Sequence, residues 1–335
     1  MFRPLEFLPP VRRMRFHPAG FVLFGFAIAG FLFFVTAGNS GAQGSNSYIV
    51  VDANQKKILM EGDADKKRPV ASLTKVATVI VAMDWMDSHG GDKTDVMVVP
   101  GSAGQLGGAN PLGMKPGDRV SVRDALYGAM LASDNVSAET LASHFGAQMM
   151  SRAGGQHPIG VFVDQMNALA HNLGMARTRF VNPHGLDHAG PVGLSTARDM
   201  ARLTIYGLRN PSFNFIVSQP AREIVYTRGG QSFSFKVKNT NKLLGQFGID
   251  GVKTGSTQRA GDCLITSARK KDRFVPIDGQ RQRRIAYRLV TVTLGSPDRF
   301  GQTSQLIQQG WSAYESWLAG GMIVRDRAEL LTIAE

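Results

Sequence analysis

Two short runs near residue 50, Ser47–Asp52 and Ile58–Glu61, are rich in β-formers and flank the turn-forming segment Ala53-Asn54-Gln55-Lys56-Lys57. They predict a strand, a turn and a second strand. The pattern changes at Pro69. From Val76 to Met83 nearly every position is apolar, long enough for a helix buried inside a domain, and Pro69 stands where helices tend to begin. Helical spacing returns over Val122–Leu131, Ala138–Met150, Val161–Leu173 and Thr196–Leu208, and a last helix is predicted over Ser304–Leu318. Residues 88–119, rich in Gly, Ser and Asp, predict irregular surface structure. Strand signals dominate from Ala221 to Leu294, in Glu223–Tyr226, Ser232–Val237, Ile249–Thr254, Cys263–Ala268 and Leu289–Leu294. Between the last two, Arg269–Tyr287 reads as a long basic loop projecting from a sheet. Strands at both ends and helices between them predict an α+β fold, an antiparallel sheet of non-contiguous segments with a helical insert.

The first 44 residues follow another rule. Arg3, Arg12, Arg13 and Arg15 precede the apolar run Phe21–Ala37, and small or polar residues continue to Gly44. This describes a secretory signal with Ala37 or Ala42 as cleavage points. The run is also near the lower limit for crossing a bilayer, so an uncleaved membrane anchor is the rival reading. Either way the remainder is expected to be exported, with one domain over 45–320 and a C-terminal tail over 321–335. At 43% hydrophobic the 335 residues can build a large core, and the net charge of +12 suits an anionic membrane face or an acidic envelope polymer. Nucleic acid is not expected, because the basic clusters lack interleaved aromatics or a recognisable module. The single cysteine, Cys263, excludes an internal disulfide and a cysteine-based zinc site, and its apolar neighbours predict a buried, inert thiol. His184 and His188 flank Asp187 in a Pro/Gly turn that fixes no ligand spacing, so neither metal nor cofactor is predicted.

Chemistry enters with Ser72-Leu73-Thr74-Lys75 at the start of the buried run. If Ser72 lies in the first helical turn, Lys75 stands one turn on along the same face. A lysine in an apolar site can lose its proton readily enough to activate a serine, and the helix N-terminus favours negative charge there. The spelling is weak alone, since Ser267-Ala268-Arg269-Lys270 repeats it, in a place that reads as a solvated turn. Ser133-Asp134-Asn135 falls between two helical patterns, where a loop presents short polar side chains, but Ser212-Phe213-Asn214 repeats that spelling too. Lys253-Thr254-Gly255 occurs once, at an apolar strand, with a glycine that permits close backbone approach.

Ser-x-x-Lys, Ser-x-Asn and Lys-Thr-Gly in this order form a known catalytic set. From about Tyr48 to Trp311 the sequence resembles the exported serine D-alanyl-D-alanine carboxypeptidases, the low-molecular-mass penicillin-binding proteins. Further segments carry the likeness: Met166-Asn167-Ala168, Leu173-Gly174-Met175, Asn182-Pro183-His184-Gly185-Leu186-Asp187, Ser195–Ala201 and Asn239–Leu244. The resemblance implies a β-lactamase/transpeptidase-like fold, an antiparallel five-stranded sheet flanked by helices plus a helical subdomain. It implies that Ser72 attacks the penultimate D-alanine carbonyl, that neutral Lys75 takes its proton, and that Ser133 relays a proton to the leaving D-alanine with Lys253. Asn135 would hold the substrate amide and orient Lys75. Lys253 and Thr254 would bind the terminal carboxylate, with Arg299 assisting, and Gly255 would lie in the binding strand. The amides of Ser72 and Ser256 would form the oxyanion hole. Expected partners are peptidoglycan stem peptides ending in D-Ala-D-Ala, β-lactams as covalent inhibitors, and a membrane contacted through residues 21–37.

The sequence departs from that family in two respects. Ser-Asp-Asn is the spelling of class A β-lactamases, but the carboxylate those enzymes use for deacylation is not evident, Glu139 being the only glutamate between Asn135 and Glu223. Little sequence follows Leu294, so the C-terminal β domain and amphipathic helix common in the family are not expected. The expected activity is D,D-carboxypeptidase. The alternatives are a D,D-endopeptidase cutting peptidoglycan cross-links, a class A-like β-lactamase, and a non-catalytic envelope-binding module.

Overall fold

Val50 faces one core and its neighbours Ile49 and Val51 face another, and all three are fully buried. A strand needs apolar residues on both sides only when both faces of its sheet are covered. The computed structural model describes residues 46–153, 157–187, 191–276 and 282–333. The expected signal or anchor segment, with Ala37 and Ala42, and His188 lie outside the described residues.

Strands β1 (Ser47–Asp52) and β2 (Ile58–Gly62) form the predicted hairpin, and β3 (Arg68–Pro69) leads to a 3-10 turn at Ala71–Leu73. Helix α1 (Thr74–His89) follows and is closed by Gly90 in the left-handed conformation. Short strands β4 (Val96–Val98) and β5 (Arg119–Ser121) flank the irregular segment, and Ser121 caps α2 (Val122–Met130) by accepting the Asp124 amide. Then come α3 (Asn135–Ala153), α4 (Pro158–Asn172), β6 (Leu194–Ser195), α5 (Ala197–Gly207) and α6 (Pro211–Val217). The last part comprises β7 (Ala221–Arg228), β8 (Gln231–Lys238), β9 (Ile249–Thr257), β10 (Gly261–Pro276), β11 (Gln282–Ser296) and α7 (Arg299–Ala319).

The main sheet is five-stranded and antiparallel, in the order β2-β1-β11-β10-β9. Its β1 and β11 send Ile49, Val51, Val290 and Val292 toward α1 and the helical insert. Val50, Leu264 and Leu289 face Leu306, Ile307, Trp311 and Tyr314 of α7. Helix α1 is apolar all round because α2, α3, α4 and α5 surround it. A second sheet, β4-β5-β7-β8, covers the end of the insert.

Three local expectations are corrected. Ser72 lies in the 3-10 turn before α1, not in the first α-helical turn, because Leu73 N–H bonds back to Val70 while Ala71 takes a positive φ of 48°. The described parts of Arg269–Tyr287, 269–276 and 282–287, are strand: β10 and β11 stay paired well beyond the rest of the sheet, as far as Pro276 and Gln282. Ile285 and Tyr287 lie buried on the α7 side of this arm, which gives the pairing an apolar anchor. Ser267–Lys270 is therefore strand rather than turn, with Ser267 fully buried and Lys270 reaching Glu315.

Candidate active site

The 3-10 turn presents Ser72 partly exposed at the edge of a dry region, directly ahead of the fully buried Lys75. The Lys75 amine lies 2.9 Å from Ser72 Oγ, 2.7 Å from Asn135 Oδ1 and 2.8 Å from the His184 carbonyl oxygen. Of these three neighbours only the serine has a proton to give. A neutral amine keeps two N–H bonds for Asn135 and His184 and turns its lone pair to the Ser72 hydroxyl. Burial pushes the ammonium down to about 7, against partial opposition from the Asp134 carboxylate. This is the arrangement a serine needs for proton removal near neutral pH.

Asn135 opens α3, and its amide nitrogen donates to the Gly107 carbonyl, which fixes the side chain with its oxygen toward Lys75. Ser133, at φ 59°, is partly exposed just before it. Asp134 turns inward instead. It is fully buried, accepts the Ser137 amide as a helix cap, and burial raises its pKa. The middle residue of the triplet thus serves the fold, while Asn135 turns its side chain to Lys75 and Ser133 stays partly exposed.

On the other side, β9 carries Lys253, Thr254 and Gly255 past the Ser72 turn. A β-carbon on Gly255 would lie 3.1 Å from both the Ser72 amide nitrogen and the Val70 carbonyl oxygen, so glycine lets these backbones approach. Lys253 is buried and donates to the Thr254 carbonyl at 2.9 Å. Burial holds its pKa well below the usual lysine range, and the Arg299 guanidinium, with Lys75 whenever that amine is protonated, adds to this. Thr254 Oγ1 bonds Thr240 Oγ1 at 2.8 Å. Arg299 reaches the Gly255 carbonyl at 2.8 Å and Asp262 at 3.2 Å, bracing the strand end next to Ser256.

A family model described as D-alanyl-D-alanine carboxypeptidase matches residues 35–276. The chain belongs to this family. The D-alanyl-D-alanine carboxypeptidase DacC of Escherichia coli is 30% identical over 282 residues, covering 81% of this chain. A D-alanyl-D-alanine endopeptidase of Pseudomonas aeruginosa is 31% identical over 223 residues, 66% of this chain. The chain spans 62% of the length of DacC and 66% of that of the endopeptidase. A Listeria monocytogenes penicillin-binding protein, solved in its ampicillin-bound form, superposes with a TM-score of 0.61 at 27% identity, over 79% of this chain and 96% of that one. The β-lactamase/transpeptidase-like fold expected from the sequence is therefore the fold of this carboxypeptidase family member.

Two groups in the site escaped the sequence reading. The His184 carbonyl that fixes Lys75 is a backbone atom, and a backbone atom has no letter in a sequence. The turn that supplies it is held by Asn182, whose Oδ1 accepts the Gly185 amide at 2.6 Å. Thr240 was visible only as part of a segment resembling the family. Glu139 is buried, accepts the Ser102 hydroxyl at 2.8 Å and faces His184 Nε2 at 3.8 Å. With its carboxylate committed there, nitrocefin is expected to be trapped at about one equivalent rather than turned over fast. Stopped-flow absorbance that continues well past one equivalent within seconds would contradict this.

Proposed function

We propose that the protein is an exported serine D,D-carboxypeptidase that removes the terminal D-alanine from peptidoglycan stem peptides through an acyl-enzyme on Ser72. The observation that carries the reading is the buried Lys75 amine at 2.9 Å from Ser72 Oγ, its other two contacts being pure acceptors. In this reading Lys75 takes the serine proton as Ser72 attacks the penultimate carbonyl. The amides of Ser72 and Ser256 hold the oxyanion, and Ser133 passes a proton to the departing D-alanine. Water then releases the shortened peptide and regenerates Ser72. Asn135 both orients Lys75 and receives the substrate amide.

Lys253 has a conditional role. Burial and the neighbouring Arg299 guanidinium disfavour its ammonium, whereas an arriving carboxylate stabilises it. The terminal carboxylate is thereby selected together with the charge that binds it, with Thr254 and Arg299 alongside. The same pocket would accept the carboxylate of a β-lactam, which acylates Ser72. Export rests on the basic flank and apolar run of residues 1–44 and membrane attachment on residues 21–37. No helix among the described residues is long and apolar enough to cross a membrane.

Incubation with a labelled penicillin and with a peptide ending in D-Ala-D-Ala tests the proposal. One equivalent of label on the peptide containing Ser72, together with release of free D-alanine, is the expected result. Absence of either overturns it. The similarity to a D-alanyl-D-alanine endopeptidase favours a second reading, cleavage of D,D cross-links. Digestion of intact sacculi distinguishes the two, since an endopeptidase converts cross-linked dimers to monomers and a carboxypeptidase shortens pentapeptides.

A further inference from the structure

The basic stretch 269–287 has no part in the chemistry above. Its paired strands, 269–276 and 282–287, have two faces with different surroundings. On the α7 side Lys270 and Arg273 are engaged: both reach Glu315, and they lie over the rings of Trp311 and Tyr287 respectively. The opposite face bounds a cleft of about 480 Å³, to which Arg269, Arg284 and Arg288 contribute. Its other walls are the β1–β2 turn, with Lys56, and the C-terminal end of α5, followed by Arg209.

Five cations thus meet around one concavity, against two carboxylates. Asp250 is shared between Arg269 and Arg288, and Asp272 pairs with Arg284. Among the described residues neither the Lys56 nor the Arg209 side chain has an acidic partner. Cations scattered over a convex surface are simply solvated, but cations on facing low-dielectric walls add their fields in the space between them. Burial lowers the pKa of the Arg288 guanidinium against the opposing pull of the Asp250 carboxylate, and Arg269 beside it adds to the lowering. An anion in the cleft would relieve that repulsion.

We propose that this cleft binds phosphate groups carried on a soluble or linear molecule. The two aspartates already satisfy the arginines they touch. What remains is Lys56, Arg209 and the one charge that Arg269 and Arg288 do not share with Asp250, on separate walls, which a phosphate with several peripheral oxygens can bridge where a single carboxylate cannot. Arginine forks suit phosphate oxygens in pairs. Ile205 and Leu208 give the cleft an apolar edge against which the carbon skeleton of a phosphate ester can pack. Concavity argues against a bilayer as the occupant, because a flat headgroup surface cannot reach into it. The site is independent of Ser72, so its failure would leave the peptidase reading intact.

Tripolyphosphate, a short soluble chain of phosphates, serves as the probe in calorimetric titration of the full chain at fixed ionic strength. Saturable binding is expected, weakened at least about tenfold in the Arg209→Gln/Arg284→Gln double variant. A control with the same loss of charge elsewhere, Lys115→Gln/Arg119→Gln, should stay within about twofold of the parent. Should Arg284→Gln loosen the hairpin, as its unfolding midpoint would reveal, Lys56→Gln breaks no ion pair among the described residues and should still weaken binding. The proposal is overturned by absence of saturable binding, by equal weakening in both double variants, or by attachment to phosphatidylglycerol vesicles without any affinity for tripolyphosphate.

Discussion

In the Lys75→Ala protein, acylation of Ser72 by a labelled penicillin is expected to slow by about 10²–10⁴-fold, the range associated with loss of a general base. The reason is specific to this geometry. Lys75 is the amine in hydrogen-bond contact with Ser72, and its other contacts, Asn135 Oδ1 and the His184 carbonyl, accept rather than donate. The pH profile of the unmodified protein provides an independent reading. With the amine brought down to about 7 by burial, the acylation rate should climb as pH rises through about 7 and level off above it. A profile that is flat from pH 6 to 9 in the parent, or near-parental labelling in Lys75→Ala, would remove Lys75 from the role of base.

The same shift has a consequence for stability. The pKa of Lys75 is lower folded than the ordinary 10.5, so between about 7 and 10.5 the unfolded chain holds a proton that the folded chain does not. The penalty for burying this group is full below pH 7 and shrinks as pH rises through that window. Lys75→Met, which fills similar volume without charge, should therefore flatten the rise of stability with pH. Chemical denaturation at pH 6 and pH 9 measures the difference.

A larger structural effect is expected for Gly185→Ala. Gly185 has a φ of +81°, and a β-carbon there would sit 1.9 Å from the Ala71 carbonyl oxygen and 2.8 Å from Thr74 Oγ1. Neither neighbour can yield easily, because one is backbone of the Ser72 turn and the other opens α1. Left-handed conformation costs roughly 1–2 kcal/mol for alanine, and forcing a methyl into a filled space adds about 1–3 kcal/mol. The melting midpoint should fall by on the order of 10 °C, and acylation should fall with it, since the neighbouring His184 carbonyl holds Lys75. Gly113→Ala is the matched control: its φ is +65°, yet nothing lies within 4 Å of the added carbon, so only the conformational cost applies. If the two variants melt within about 2 °C of each other, the clash has been relieved and the tight apposition of the two turns is wrong.

Much of this site was legible in the sequence, for a physical reason. Ser72, Lys75, Asn135, Lys253 and Thr254 make their contacts there through side chains, and side chains are what letters encode. The buried α1, β1 and the β-branched, apolar stretches of β10 and β11 up to Ala268 and from Leu289 were also readable, because apolar runs mark buried elements. The turn of Ser72 was harder. A 3-10 turn spends only three residues, and the left-handed Ala71 leaves no periodic trace. Helix α6 has seven residues and β4 and β5 have three each, too few for a period to emerge. The hairpin beyond Ala268 was masked by its own arginines and lysines, whose charges suggest a solvated loop. Their long aliphatic stems and the aspartates within reach let a strand pair persist there.

The order of the main sheet also governs when the molecule can work. Strand β1, near residue 50, lies between β2 and β11, and β11 ends only at Ser296. A chain emerging N-terminus first therefore carries Ser72 and Lys75 for more than half its synthesis before their supporting strands exist. Closing so distant a pairing is slow, and until it closes the early segments lack a template on which to set. Such a chain stays extensible until late, and the cleft around Ser72 closes only as the last strand of the sheet is laid down.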